Sequence, residues 1–191
     1  MQMKLTAEAV IEPILRDAIR RAAGLEDLRA GRHTLRDAND RRAGEVIVRK
    51  LWAVRVQPPA AAPAYLVAFV TDQELTVIFA VPQDLEGISV VTSRLRFDIQ
   101  QSDPVVTVLS SLDLWSGDNS ITLAGCSYNL FVSTAQMDAV LRFGNPRTPN
   151  RLALQMALLE VAGWFITGKE SSAVATFVDR WQATIIETTF S

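Results

Sequence analysis

Residues 64–81 read AYLVAFV TDQE LTVIFAV, from Ala64 to Val81. Two short runs rich in β-branched and aromatic residues flank Thr71-Asp72-Gln73-Glu74. Runs of this length, bounded by polar turn residues, are too short for buried helices and predict two strands of a hairpin.

Working outward, the period of two continues on both sides. From Ile88 to Gln100, Leu95, Phe97 and Ile99 are expected to face inward, and Arg94, Arg96, Asp98 and Gln100 outward. Val105–Trp115 and Ile121–Leu123 flank a turn at Ser116-Gly117-Asp118-Asn119, where the residue types suit a tight hairpin. Tyr128–Ser133 follows, and Ala139–Phe143 fits a last strand, although Gln136–Phe143 also fits a helix. On the N-terminal side, Val46, Val48, Trp52, Val54 and Val56 alternate with polar residues, with Lys50 marking a bulge or an edge. Residues 57–63 are a stiff Pro/Ala connection, since proline cannot donate to a sheet ladder. Parallel pairing needs long crossovers, and none are present, so the six to eight strands should pair mostly antiparallel.

Helices close both ends. Residues 6–23 form an amphipathic helix with Ile11, Ile14, Leu15, Ala18, Ile19 and Ala22 on one face and Thr6 as its cap. Pro13 either kinks it or marks its first turn. Residues 24–45 have weak periodicity and are dense in charge; they fit a short second helix around Leu25–Ala30 followed by a mobile loop through Gly31-Arg32-His33-Thr34. Thr148-Pro149 signals a helix start and Gly168 its stop. A last helix follows, capped by Ser171 or Ser172, with Ala173, Val174, Phe177, Val178, Trp181 and Ile185 as its apolar face. The chain therefore reads as one α+β domain over residues 1–191: an N-terminal amphipathic helix, a six- to eight-stranded mostly antiparallel sheet, and two C-terminal helices packed on that sheet.

Composition narrows the function classes. Of 191 residues, 49 % are hydrophobic and 21 % charged, with a net charge of −2, which suits a folded core and not a disordered chain. One cysteine, Cys126, cannot close an intramolecular disulfide, so a reducing, cytoplasmic setting is expected. Glu8 and Glu12 interrupt any N-terminal apolar run, so no signal peptide is read. The apolar stretch Leu152–Ile166 is shorter than a bilayer core requires, so no membrane span is expected. Arginines are dense only between Arg29 and Arg42, where Asp37 and Asp40 interrupt them, so no nucleic-acid stripe is expected either.

Reactive constellations fail on context. Gly163–Lys169 has phosphate-loop spacing, but Glu170 stands where a Ser or Thr must hold magnesium, and the segment ends a helix. With His33 as the lone histidine, no histidine cluster or triad can be built. A His33–Cys126 dyad competes with a solvent-facing histidine and a buried structural cysteine, the reading preferred here. Asp37-Ala38-Asn39-Asp40 opens like a calcium loop and then breaks at Arg41 and Arg42. Asp113 and Asp118 suit turn chemistry better than acid–base work. No cofactor and no metal are implied.

Three functional readings are open. The first is a non-enzymatic protein-interaction or assembly module, with a protein partner or a homo-oligomer. Its candidate interface is Trp164, Glu160 and Ala157, on the expected solvent side of the helix after Pro149. The second is a small-molecule or lipid binder with an apolar cavity between a curved sheet and the C-terminal helix. Gln155, an amide within the apolar arc, is its candidate ligand contact. The third is an enzyme using carboxylates and arginines from the sheet.

Overall fold

In the computed structural model the structure describes residues 7, 10–37, 39, 41–59, 61–82, 90–98, 125–144, 148–166 and 172–189. The predicted hairpin lies at its centre. Strand β4 (Ala64–Val70) pairs antiparallel with β5 (Glu74–Pro82), with Val67 opposite Ile78. The Thr71 hydroxyl accepts the backbone N–H groups of Gln73 and Glu74 and closes the turn. Around this pair, β3 (Lys50–Gln57), β6 (Val90–Asp98), β7 (Ser127–Thr134) and β8 (Asp138–Gly144) complete a six-stranded sheet in the order β6-β5-β4-β3-β7-β8. Among the described residues every pairing in this sheet is antiparallel. Residues 138–144 are thus a strand, which resolves the ambiguity at that position.

Helices cover both faces of this sheet. Pro13 is the first residue of α1 (Pro13–Ala23), not a kink within a helix starting at Thr6. Its ring would clash with a preceding turn, whereas at the first helical position its missing N–H costs nothing. Helices α2 (Pro149–Trp164) and α3 (Ser172–Thr189) cover the opposite face. Successive residues therefore alternate between two buried layers. Trp52, Val54, Leu66, Val77, Phe79, Tyr128 and Leu130 point toward α2 and α3. Leu51, Ala53, Tyr65, Val67, Phe69, Ile78 and Phe131 pack with Ile11, Leu15 and Ile19 under α1. Two-sided burial explains the uncharged runs of β4 and β5. It also corrects the expectation for Arg94, which is half-buried and donates to the Ala22 carbonyl at the end of α1. Leu95 packs toward α2 and α3, as its alternation predicts, and Arg96 is exposed.

The short helix and loop expected over 24–45 are instead largely a hairpin. β1 (Gly31–Arg36) pairs with β2 (Arg42–Val48) as a separate two-stranded sheet, His33 opposite Val46. The Asp37 carboxylate accepts the N–H groups of Asn39 and Arg41, an Asx turn and not a cation loop. His33, Leu35, Val46 and Val48 face inward, while Arg32 and Glu45 pair outside at 3.6 Å. The chain breaks at Arg49, which separates Val48 under α1 from Trp52 under α2 and α3. One alternation read from sequence is therefore two strands in two sheets. Gly24, at φ 70°, ends α1, and its carbonyl accepts the Arg36 N–H at 3.0 Å. A Cβ there would meet the Arg36 carbonyl oxygen at 2.9 Å, so only glycine fits this junction.

The strands expected at Val105–Trp115 and Ile121–Leu123 lie outside the described residues, as do Asp113, Asp118, Thr6, Ser171, Gly168, Lys169 and Glu170. The same holds for Ile99 and for the side chains of Ile14 and Phe97.

Candidate interaction surface

Helix α2 is apolar nearly all round, so its orientation is decided by packing and not by amphipathicity. Leu154, Ala157, Leu158, Val161 and Ala162 turn inward, continued by Phe165. Beneath them the layer is filled by rings. Phe79 meets Phe165 at 5.7 Å and Phe177 at 5.9 Å, and Tyr128 stacks on Phe143 at 5.0 Å.

The candidate residues separate accordingly. Glu160 is exposed. Ala157 is 4 % exposed and belongs to the core, so it is not part of an outward face. Trp164 is half-buried against the same core and is no protruding anchor. The outward face is rotated from the expected one. Leu152 is 40 %, Met156 55 % and Ile166 37 % exposed, with half-buried Leu159 and Gly163 between them. Hydropathy placed the charged Glu160 at the centre of the solvent side; packing placed it at the edge.

Gln155 is 5 % exposed and points into the core. Its partner is internal: the Tyr128 hydroxyl donates to Gln155 Oε1 at 3.0 Å and accepts the Trp181 Nε1–H at 2.8 Å. These bonds join β7, α2 and α3. Burial raises the Tyr128 hydroxyl well above the ordinary phenol range. Burial also pushes the Cys126 thiol up to about 11, with hydrogen bonds to Tyr128 and Thr184 opposing it. A thiol so protonated is a poor nucleophile at neutral pH.

His33 is buried, contrary to a solvent-facing loop position, and its Nε2 donates to the Arg29 carbonyl at 2.8 Å. It lies in the two-stranded sheet on the α1 side, whereas Cys126 lies in the core under α2 and α3, so the two form no dyad. The arginines between Arg29 and Arg42 are interleaved with acids: Arg29 pairs with Asp27, Arg36 with Glu26 and Arg42 with Glu45. Among the described residues no group of His, Cys, Asp and Glu could hold a metal ion, and no helix is long and apolar enough to cross a membrane.

A cleft of about 480 Å³ opens at the margin of the α3 layer, with Val81, Pro82, Ala173 and Phe177 in its walls and Arg180 alongside. It is a surface feature, not an enclosed space between sheet and helix. Comparison with family models, with curated proteins and with solved structures yields no match to this chain.

Proposed function

We propose that the chain is a protein-interaction or assembly module whose contact surface is the outer face of α2. One observation carries this reading: Leu152 and Met156 are exposed on the outer side of a helix whose inner side already completes a core, and Ile166 is exposed in the turn that follows it. Isolated exposed apolar residues are ordinary, but a continuous stripe of them marks a surface that another molecule covers. Burying such side chains favours association by about 25 cal/mol per Å² of apolar area. A photo-reactive phenylalanine analogue at position 156 should form covalent protein adducts in the cells that make this protein. The same analogue at Gln182, exposed on α3, should not. Silence at position 156 overturns the reading.

A second reading, a small-molecule or lipid binder, is favoured by the cleft between Val81, Pro82 and Phe177. Its volume lies within the range of known ligand sites, and Arg180 would attract a carboxylate or phosphate head. Titration with a medium-chain fatty acid should then shift the NMR signals of Val81, Phe177 and Arg180. Unchanged signals would remove this reading.

A further inference from the structure

On the side of the sheet away from α2, three polar side chains stand in one cross-strand row. Arg55 on β3 lies opposite Asn129 on β7, and Asn129 lies opposite Arg142 on β8. Their sequence neighbours Val54, Leu130 and Phe143 point into the layer under α2 and α3. Alternation therefore turns Arg55, Asn129 and Arg142 together toward the α1 side. They are not sealed there: Arg55 and Asn129 are half-buried and Arg142 is exposed. Neighbouring strands are about 4.8 Å apart, so the two arginines rise from the sheet roughly 10 Å from each other, with the amide between them.

The charge of this row is uncompensated. Arg29, Arg36, Arg42 and Arg49 each pair with a carboxylate. Among the described residues neither Arg55 nor Arg142 does so, and the Asn129 amide makes no hydrogen bond. The carboxylates that flank the row on this side are engaged elsewhere. Glu12 accepts the Tyr65 hydroxyl at 3.2 Å, and Asp138 accepts the Ser133 hydroxyl at 2.6 Å.

Arg55 is also fixed in place without being neutralised. Its Nη2 donates to Gln57 Oε1 at 2.9 Å. Gln57 Nε2 donates in turn to the carbonyls of Pro58, at 3.1 Å, and of Ala61. The Pro/Ala connection thus braces the guanidinium through a neutral oxygen and leaves its charge whole. Two like charges held this close repel each other, and an anion between them relieves the repulsion.

From this arrangement we infer that Arg55, Asn129 and Arg142 bind a phosphate group, either the free ion or the phosphate of a small ester. Charge decides the class. Two guanidinium groups carry two positive charges; a carboxylate meets one of them, whereas a phosphate carries about −1.5 to −2 at pH 7. Guanidinium forks match phosphate oxygens two at a time, and the Asn129 amide between them donates to a further oxygen.

Titration of isotope-labelled protein with inorganic phosphate, followed by NMR at an ionic strength held constant with sodium chloride, tests this. The Asn129 side-chain amide and the Arg55 Nε–H should shift and saturate at millimolar phosphate, while the Nε–H signals of Arg49 and Arg180 stay in place. Arg142→Gln alters an exposed side chain and leaves the fold intact; it should weaken binding about tenfold or more, the usual worth of a hydrogen bond between charged groups. Arg55→Lys, which keeps the charge and loses the fork, should bind less tightly than wild type and more tightly than Arg55→Gln. Acetate should bind about tenfold or more weakly than phosphate, since it carries half the charge. A parallel titration with glycerol phosphate separates the two sources. Tighter binding than inorganic phosphate assigns the site to a small phosphate ester, and equal or weaker binding assigns it to the free ion. Shifts that grow without saturating overturn the inference, as do saturation unchanged by Arg142→Gln and acetate binding as tight as that of phosphate.

Discussion

Trp181 donates its indole N–H to the Tyr128 hydroxyl at 2.8 Å, in a layer where both side chains are fully buried. This bond ties the last helix to β7, and the same hydroxyl ties β7 to α2 through Gln155. Polar groups so deep are held because each has found a partner.

Tyr128→Phe removes the shared hydroxyl and strands the Trp181 N–H. We expect a loss of about 1–3 kcal/mol in urea denaturation. Tyr128→Phe and Gln155→Leu together should cost less than the sum of the two alone, because the second change removes a group the first has already orphaned. Strict additivity would mean that the three side chains do not act as a unit.

The raised Cys126 thiol makes stability fall in alkali. A group whose folded pKa lies above its unfolded value keeps its stabilising contribution below the unfolded pKa and loses it as pH rises through the folded one. For Cys126 that window runs from the ordinary thiol range up to about 11, and Tyr128 acts in the same direction. Urea midpoints of wild type and Cys126→Ala should keep a constant separation at neutral pH. Above about pH 8.5, the reference thiol value, wild type should fall more steeply. Parallel curves to pH 11 would show that the thiol is solvated.

Ala157 and Met156 are neighbours in sequence with opposite surroundings. Met156→Glu should change stability by no more than roughly 0.5 kcal/mol, as surface substitutions do. Ala157→Glu introduces an unpaired charge under the helix and should cost about 3 kcal/mol or more. The reverse order would restore the orientation expected from hydropathy.

The turn between β1 and β2 depends on one carboxylate oxygen that accepts two backbone N–H groups. Asp37→Ala should cost about 1 kcal/mol and speed hydrogen exchange at Asn39 and Arg41. Trypsin should then cut at Arg41 or Arg42 sooner than in wild type. Unchanged exchange would show that strand pairing alone holds the turn.

These contrasts mark what the sequence could convey. The runs at 64–81 were legible because two-sided burial leaves no charged residue within either of them, and Pro149 marked its helix because proline suits one position there. The hairpin over 31–48 was not legible. Each of its strands turns only two side chains inward, His33 and Leu35 or Val46 and Val48, too few to form a period among the arginines. The start of α1 at Pro13 was left open, since apolar residues on the same side precede it. At the contact surface, the stripe was legible as an excess of apolar residues on α2, but its direction was not. Leu152 and Leu158 are equally hydrophobic, and packing in the core under α2 and α3, not hydropathy, separates the buried Leu158 from the exposed Leu152. Thr148 has the residue type of a cap and occupies the cap position, yet its hydroxyl makes no bond to the helix.

The position of β3 between β4 and β7 bears on how the chain is made. β4 leaves the ribosome directly after β3 and can pair with it at once. The other edge of β3 waits for β7, with residues 58–126 still to be synthesised. Through that interval Val54 has Leu66 as a neighbour on one side and, on the other, an unsatisfied edge where Leu130 will later dock. Open apolar edges recruit other chains. Nascent protein is thus most exposed to misassembly late in translation, and slowing elongation before Ser127 should lower its soluble yield more than slowing it after Gly144.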